Sequence, residues 1–219
     1  MKNPFSVVKD FEDAVAEYTG APYCVAVNSC TNALFLCLIW VKKKYSSYNL
    51  DQEDDYYVTI PRYTYISVPM QCRLAGYYVR FRDEKWSGAY QLAQYPIWDS
   101  ARRFTSGMFP RFKTTIMDSN DTQFVCTSHH WSKILGIQQG GCILHNNYEF
   151  DKWARRARFD GRTEGVAPKD DKFKELGWHM YMSPEIAAEG LVRLHHLPKN
   201  NPDLPNDDYP DLSKLELFK

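Results

Sequence analysis

Hydrophobic positions fall at two spacings along the chain. From Phe5 to Tyr18, the residues Val8, Phe11, Ala14, Val15 and Tyr18 recur three and four apart, which predicts an amphipathic helix, and Gly20 just beyond supplies its stop. Cys24-Val25-Ala26-Val27 is a short unbroken apolar run and reads as a buried strand. Asn28 to Asn32 is a turn of capping side chains, and the apolar stretch from Ala33 to Lys44 starts directly behind it as a buried helix. Tyr45 to Asp55 reads as a polar loop, Tyr56 to Ile60 as a second strand ended by Pro61, Tyr63 to Leu74 as a helix and Tyr77 to Phe81 as a third strand. Beyond a loop from Arg82 to Gln94, strands are predicted at Pro96 to Asp99, Phe124 to Thr127 and Gly141 to Leu144. Helices are predicted at Lys152 to Phe159 and Pro184 to Leu194. Strands alternating with helices imply an α/β fold with a mostly parallel central sheet. From Pro198 onward, prolines at 198, 202, 205 and 210 stand among Asn and Asp, so the chain divides into a domain over residues 1–197 and an extended arm over 198–219. Composition favours a solvated course for that arm over one lying against a partner.

Composition narrows the function classes. The 27 Lys and Arg balance the 27 Asp and Glu, so there is no general field to gather nucleic acid or an anionic membrane. A hydrophobic share of 44% and an aromatic share of 15% place the chain among folding sequences despite a mean hydropathy of -0.52. The longest apolar run stops at Lys42-Lys43-Lys44, about half the ~20 residues a membrane-spanning helix requires. The six cysteines are dispersed with no CxxC pair, which argues against a zinc site. The N-terminus carries Asp10, Glu12 and Asp13 rather than an apolar core, so no secretory signal is read and reduced thiols in a cytoplasm are expected.

In an α/β sheet, ligands bind beyond the carboxyl ends of the strands, so the polar residues there belong together. They are Ser29-Cys30-Thr31, Thr64-Tyr65, Asp99 and the stretch Ser128 to Lys133. Taken singly, each has an ordinary structural explanation as a helix cap, a core aromatic, a turn cap or a surface lysine. Taken jointly they match the needs of pyridoxal phosphate: an amine for its aldehyde (Lys133), a carboxylate for its pyridine nitrogen (Asp99), hydroxyls and helix-start amides for its phosphate (Ser29 or Thr31 with Ser128), and a flat group for its ring (Tyr65).

These motifs resemble one family in order and spacing, the DegT/DnrJ-type pyridoxal-phosphate-dependent sugar aminotransferases. Phe11-Glu12 with Tyr18-Thr19-Gly20 is similar to the family's first helix and its Tyr/His-Gly end. Asn28-Ser29-Cys30-Thr31-Asn32-Ala33-Leu34 resembles its Asn-Ser-Gly-Thr-x-Ala-Leu phosphate segment, Pro61 to Tyr65 its Pro-x-x-Thr-aromatic motif, and Asp99-Ser100-Ala101-Arg102 its Asp-Ala-Ala-Gln motif. Ser128 to Lys133, with Gln139-Gly140-Gly141 behind it, resembles Ser-Phe-His-x-x-Lys and a later Glu-Gly-Gly. Gly177 to Ala188 resembles Gly-x-Asn-x-Arg-Met-Ser-x-x-x-Ala-Ala. The likeness covers most of residues 5–197. Departures are Cys30 for Gly, Arg102 for Gln, His179 and Tyr181 for Asn and Arg, and a shortened stretch between Phe81 and Asp99.

The resemblance implies the large domain of the type I aminotransferase fold, a three-layer sandwich, with the C-terminal small domain largely missing. It implies a transaminase moving an amino group from an amino acid such as glutamate to a keto group of a nucleotide-activated sugar. Lys133 would be the catalytic lysine; Ser29, Cys30, Thr31, Tyr65, Asp99, Arg102 and Ser128 would bind the cofactor. It further implies a homodimer in which His179 reaches the neighbour's cofactor phosphate. A sugar dehydratase is the enzymatic alternative, against which Lys133 argues because the family's dehydratases carry histidine there; a cofactor-binding or assembly protein without turnover is the third reading. Of His129 and His130, at most one is expected to face the site. The basic stretch Lys152, Arg155, Arg156, Arg158 and Arg162 reads as a solvated face or, more sharply, as a diphosphate site.

Overall fold

The computed structural model describes residues 3–45, 56–112, 122–206 and 208–218. Past its first residue, the loop expected from Tyr45 to Asp55 lies outside them. The elements alternate as the pattern requires: α1 (Ser6–Thr19), β1 (Tyr23–Val27), α2 (Cys30–Tyr45), β2 (Tyr57–Pro61), α3 (Ser67–Leu74), β3 (Tyr78–Arg82), β4 (Tyr90–Leu92), β5 (Ile97–Ser100), β6 (Phe124–Ser128), β7 (Gly141–His145), α4 (Tyr148–Ala157) and α5 (Pro184–His196). Gly20, with φ at 75°, closes α1 in the left-handed region and returns its N–H to the Ala16 carbonyl at 2.9 Å. The Asn147 side chain caps α4 through the Phe150 N–H at 2.9 Å, which starts that helix earlier than its apolar spacing suggests.

The main sheet has five strands in the order β1-β7-β6-β5-β4, and β2 and β3 form a two-stranded sheet. A single antiparallel bridge from Thr59 to Ala93 joins the two, and the Arg82 guanidinium reinforces the seam by donating to the Thr59 and Gln91 carbonyls at 2.6 and 2.8 Å. The fold is α/β as read, but the sheet is mixed. Only β5–β6 and β2–β3 pair parallel, whereas β1–β7, β6–β7 and β4–β5 pair antiparallel. The reason lies in two short returns. Residues 93–96 turn β4 directly into β5, and residues 129–140 bring β6 back into β7 with no crossover helix, and a strand that returns without a crossover must run antiparallel. The remaining strands, β1, β2, β3, β5 and β6, share one direction, so their carboxyl ends emerge together at one edge.

Both faces of the sheet are covered, giving three layers. On one face Val25, Val27, Cys126 and Ile143 meet α2, α3 and α4; on the other Cys24, Ala26, Val125, Cys142 and Leu144 meet α1 and α5. Strand residues alternate between the two clusters with the period of two that a pleated strand imposes. α2 lies against β5, β6 and β7 and is flanked by α3 and α4, so it is buried on nearly every side and shows no polar face. All six cysteines are buried free thiols. Among the described residues no helix is long and apolar enough to cross a membrane, and no cluster of metal-ligating side chains is assembled.

Three expectations change. α3 begins at Ser67 rather than Tyr63, because the Arg62 N–H still donates to the Arg82 carbonyl at 3.0 Å and holds the chain in strand pairing beyond Pro61. The supposed loop from Arg82 to Gln94 contains β4, which turns Tyr90 and Leu92 inward. The arm is not solvated: Lys199 accepts from Ser106 N–H at 2.9 Å, Leu204 N–H donates to Arg102 at 2.9 Å, Leu212 N–H donates to Arg62 at 2.9 Å, and the Leu212 side chain is fully buried.

Within the basic stretch Lys152 stays exposed beside Glu149, but Arg155 and Arg158 form neither a solvated face nor an open diphosphate site. Strand β1 is an edge strand, and its outer backbone groups need partners. Glu12 from α1, 1% exposed, accepts the Ala26 N–H at 2.8 Å, while Arg158, 2% exposed, donates to the Ala26 carbonyl and to Glu12. Arg155 donates to Glu12 at 2.6 Å, to the Cys24 carbonyl at 3.1 Å and to both Asp151 oxygens at 2.8 and 3.0 Å. Arg156 pairs with Glu175 at 3.2 Å. These arginines therefore seal an edge of the sheet. Removing one member of a buried, hydrogen-bonded ion group leaves a charge uncompensated at a cost of about 3–5 kcal/mol. Glu12→Gln is thus expected to lower the melting temperature by roughly 10 °C or more in a chain of this size. Thermal denaturation followed by circular dichroism measures it, and an unchanged transition would show that the network is dispensable.

Candidate active site

The shared strand direction delivers four chain segments to one cleft. β1 ends at Val27 and hands over to Ser29, Cys30 and Thr31 at the start of α2; β2 leads to Thr64 and Tyr65; β5 ends with Asp99; β6 ends at Ser128. These residues border a cavity of about 520 Å³ together with Arg102, His130, Lys133 and, from the arm, Asp208 and Tyr209. Every residue singled out for the site borders this cavity except His179. That residue lies on the surface, 72% exposed in its side chain, with its Nδ1 3.0 Å from Asp160.

Asp99 forms the floor. It is 5% exposed, and its Oδ2 accepts the Tyr90 hydroxyl at 2.8 Å while its Oδ1 accepts the Ala101 N–H at 3.0 Å. Tyr90 is in turn 2.6 Å from the Thr64 hydroxyl. The Cys30 sulfur is 4.0 Å from Asp99 Oδ1, and burial followed by that carboxylate holds the thiol pKa well up, so Cys30 is a neutral weak donor rather than a nucleophile. Burial raises the Asp99 pKa above the ordinary range, against the pull of Tyr90, Ala101, Lys133 and Arg102. The floor is a carboxylate with two hydrogen bonds and incomplete charge compensation, a state that a cation placed on it would relieve.

Lys133 stands on the β6–β7 return, where its backbone N–H donates to the His130 carbonyl at 2.8 Å and closes a turn. Its amine is half-buried. Burial and then Arg102 lower its pKa while Asp99 pulls it up, so the uncharged, nucleophilic form is easier to reach than for a solvent lysine. The start of α2 forms the opposite wall, with Ser29 Oγ accepting the Asn32 N–H at 3.2 Å and Thr31 Oγ1 2.9 Å from Ser67 Oγ. That wall approaches β7 so closely that a Cβ on Gly141 would lie 2.5 Å from the Cys30 nitrogen, and no residue larger than glycine fits there. Tyr65 presents its ring at the mouth, 56% exposed.

Adjacent histidines part ways as a strand end dictates. His130 borders the cleft, while His129 is fully buried between Phe11 and Phe104 at 5.9 and 4.9 Å. Sequence reasoning missed Tyr90, Trp86, Asp208 and Tyr209. Tyr90 sits in a strand too short to show alternation, Trp86 lies in the irregular stretch before it with its indole donating to the Tyr63 carbonyl, and Asp208 and Tyr209 reach the cleft through arm packing that leaves no mark in local periodicity.

The donor set fits pyridoxal phosphate. An amine and a buried carboxylate open onto one cavity, a helix start with two hydroxyls faces it, and the glycine-permitted approach of β7 to that helix start fixes the cradle for an anion.

Superposition gives the fold of pyridoxal-phosphate-dependent aminotransferases. The sugar aminotransferase CalS13 from Micromonospora echinospora matches with a TM-score of 0.65 at 16% identity, over 86% of this chain and 60% of that one. PseC from Helicobacter pylori, an aminotransferase of pseudoaminic acid biosynthesis, matches with 0.62 at 15% identity over 89% and 63%. The GDP-4-keto-6-deoxymannose-3-dehydratase ColD, with GDP-perosamine bound, matches with 0.63 at 15% identity over 88% and 61%. The chain spans about three fifths of the length of these structures. The model of the DegT/DnrJ/EryC1/StrS aminotransferase family matches residues 3–87, and the solved structures match in fold over most of the chain. No curated protein sequence matches this one.

Asp99 carries a stability consequence. A carboxylate whose folded pKa lies above its unfolded value stabilises the fold only when protonated, below about pH 4, and costs stability as pH rises through the folded value. Asp99→Asn is therefore expected to raise the melting temperature of the cofactor-free protein at pH 7 by roughly 2–4 °C, or about 1 kcal/mol, with the gain vanishing toward pH 4. A variant less stable than the parent at pH 7 would contradict the incomplete compensation of this charge.

Proposed function

We propose that this chain forms the cofactor-binding domain of a pyridoxal-phosphate-dependent aminotransferase that acts on a keto group of a nucleotide-activated sugar, with an amino acid such as glutamate as donor. The observation that carries the reading is the pairing of a buried carboxylate, Asp99, with a half-buried amine of lowered pKa, Lys133, across one cleft. The sugar and the donor rest on the family resemblance, with support from CalS13 and from the nucleotide sugar bound to ColD.

When bound, pyridoxal phosphate supplies an aldehyde for amines and a protonated ring that draws electrons from a carbon losing its proton. Lys133 would be the residue that holds the cofactor and, once released, would carry the proton at Nζ. Asp99 keeps the ring nitrogen protonated, and the cation it faces there completes its own charge compensation. Ser29, Thr31, Ser128 and the first N–H groups of α2 take the phosphate, Cys30 lines its floor, and Tyr65 covers the ring. His179 serves the neighbouring site in a homodimer; its exposure, with Phe173 and Leu176 exposed nearby at 55% and 87%, supports a partner on that face. A cytoplasmic setting accords with six free thiols. The dehydratase reading draws support from ColD, and Lys133, where the resemblance implies histidine for that chemistry, weighs against it.

Borohydride reduction of the protein with pyridoxal phosphate, followed by peptide mass mapping, is expected to leave the adduct on Lys133, and glutamate is expected to bleach the cofactor's yellow colour. An adduct confined to other lysines would overturn the assignment. Asp99→Ala is expected to weaken cofactor binding at least about tenfold, since it removes a buried charge-assisted hydrogen bond, with the far-ultraviolet spectrum unchanged.

A further inference from the structure

One charged group at the cleft is bound to the arm rather than to the floor. Arg102 donates from Nε to the Tyr209 hydroxyl at 2.9 Å, from one terminal nitrogen to Asp208 at 2.8 Å and from the other to the Pro205 carbonyl, and it lies 4.7 Å from the centre of the Tyr209 ring. Asp208 and Tyr209 themselves border the cavity. The arm is pinned on both sides of this contact. Before it, Asp203 holds Arg103 at 2.6 and 2.8 Å and Leu204 bonds the Arg102 backbone; after it, Leu212 is buried and bonds the Arg62 backbone.

The contact is uneven. The Arg102 side chain is 12% exposed and that of Asp208 is 71% exposed. A guanidinium sunk into a wall has already lost its water, so it needs a carboxylate or an equivalent acceptor; a carboxylate hanging in solvent gains little from the pair and is easily replaced by another. Tyr209, stacked on Trp86 at 6.2 Å and 18°, holds Nε and, with the Pro205 carbonyl on one terminal nitrogen, fixes the plane of the fork, leaving the other terminal nitrogen to face whatever carboxylate is present.

We infer that Arg102 is a binding site for the carboxylate of a small organic acid entering the cleft, and that Asp208 is its resident competitor. The carboxylate is assigned because a carboxylate is what the fork already holds. An incoming acid takes the place of Asp208 on its one terminal nitrogen while Tyr209 keeps Nε and the Pro205 carbonyl keeps the other terminal nitrogen, and the arm stays tethered at Leu204 and Leu212. The inference deepens the aminotransferase reading and rests on it only for the identity of the acid as an amino acid or its keto acid.

The test uses the full chain without cofactor, titrated with succinate and separately with inorganic phosphate by calorimetry at constant ionic strength. Asp208→Asn, at an exposed position where folding is not at stake, is expected to bind succinate about twofold to fivefold more tightly than the parent, the range expected for an exposed pair. Adding Arg102→Gln, or the milder Arg102→Lys that keeps the charge without the fork, is expected to abolish the gain. Equal affinity in parent and Asp208→Asn, absence of succinate binding in both, a gain that survives loss of Arg102, or a gain for phosphate alone would each overturn the inference. A protein that shows the succinate gain yet takes up no pyridoxal phosphate would leave the Arg102 site standing and overturn the aminotransferase reading instead.

Discussion

The cleft depends on where strand β1 lies. β1 is the edge of the main sheet, and its carboxyl end passes straight into Ser29 and the start of α2, so any slip of that strand would carry the whole anion-binding wall with it. Its inner side is fixed by five residues of antiparallel register with β7. Its outer side would otherwise present bare N–H and C=O groups, and Glu12, Arg155 and Arg158 occupy them. The same three side chains bind α1 to α4 across the edge. A network built from buried charges is a costly way to seal a strand, and it holds because almost every donor and acceptor in it is matched.

The charges in the cleft are arranged on the opposite principle. Asp99 and Lys133 both have pKa values moved toward their neutral forms by burial, and among the described residues neither forms an ion pair. A fold that can match the Glu12 cluster and leaves this pair unmatched is keeping electrostatic capacity for something that enters. That contrast within one sheet separates the structural charges from the functional ones more clearly than residue type does, because both groups use the same carboxylates and cations.

Packing also explains how a short chain closes its site. The β4–β5 hairpin places Tyr90 against Asp99, and Trp86 beside it gives the arm an aromatic surface on which to lie, with ring centres 4.7 Å apart for Trp86 and Tyr90 and 6.2 Å for Trp86 and Tyr209. The arm completes a wall of the cleft from residues remote in sequence. Over its proline-rich first part the backbone bonds go to the domain, at Ser106 and Arg102, and only past Pro210 does it form short 3-10 turns of its own, at Leu212–Lys214 and Glu216–Phe218.

The sequence by itself determined the named helices and strands except β4, the alternation that makes an α/β fold, and the strand-end residues that border the cleft, though not Trp86, Asp208 or Tyr209. Those features are local: a helix shows its period within one turn, a strand end shows its polar residue next to its apolar run, and motifs such as Ser29 to Leu34 or Ser128 to Lys133 are contiguous. Only the tertiary structure decided the direction of β4 and β7, the sealing role of Arg155 and Arg158, the burial of His129 beside an open His130, and the return of the arm onto Arg102. Each of these depends on a partner far away along the chain, and a charged or aromatic side chain carries the same letter whether it meets water, a strand edge or a cleft.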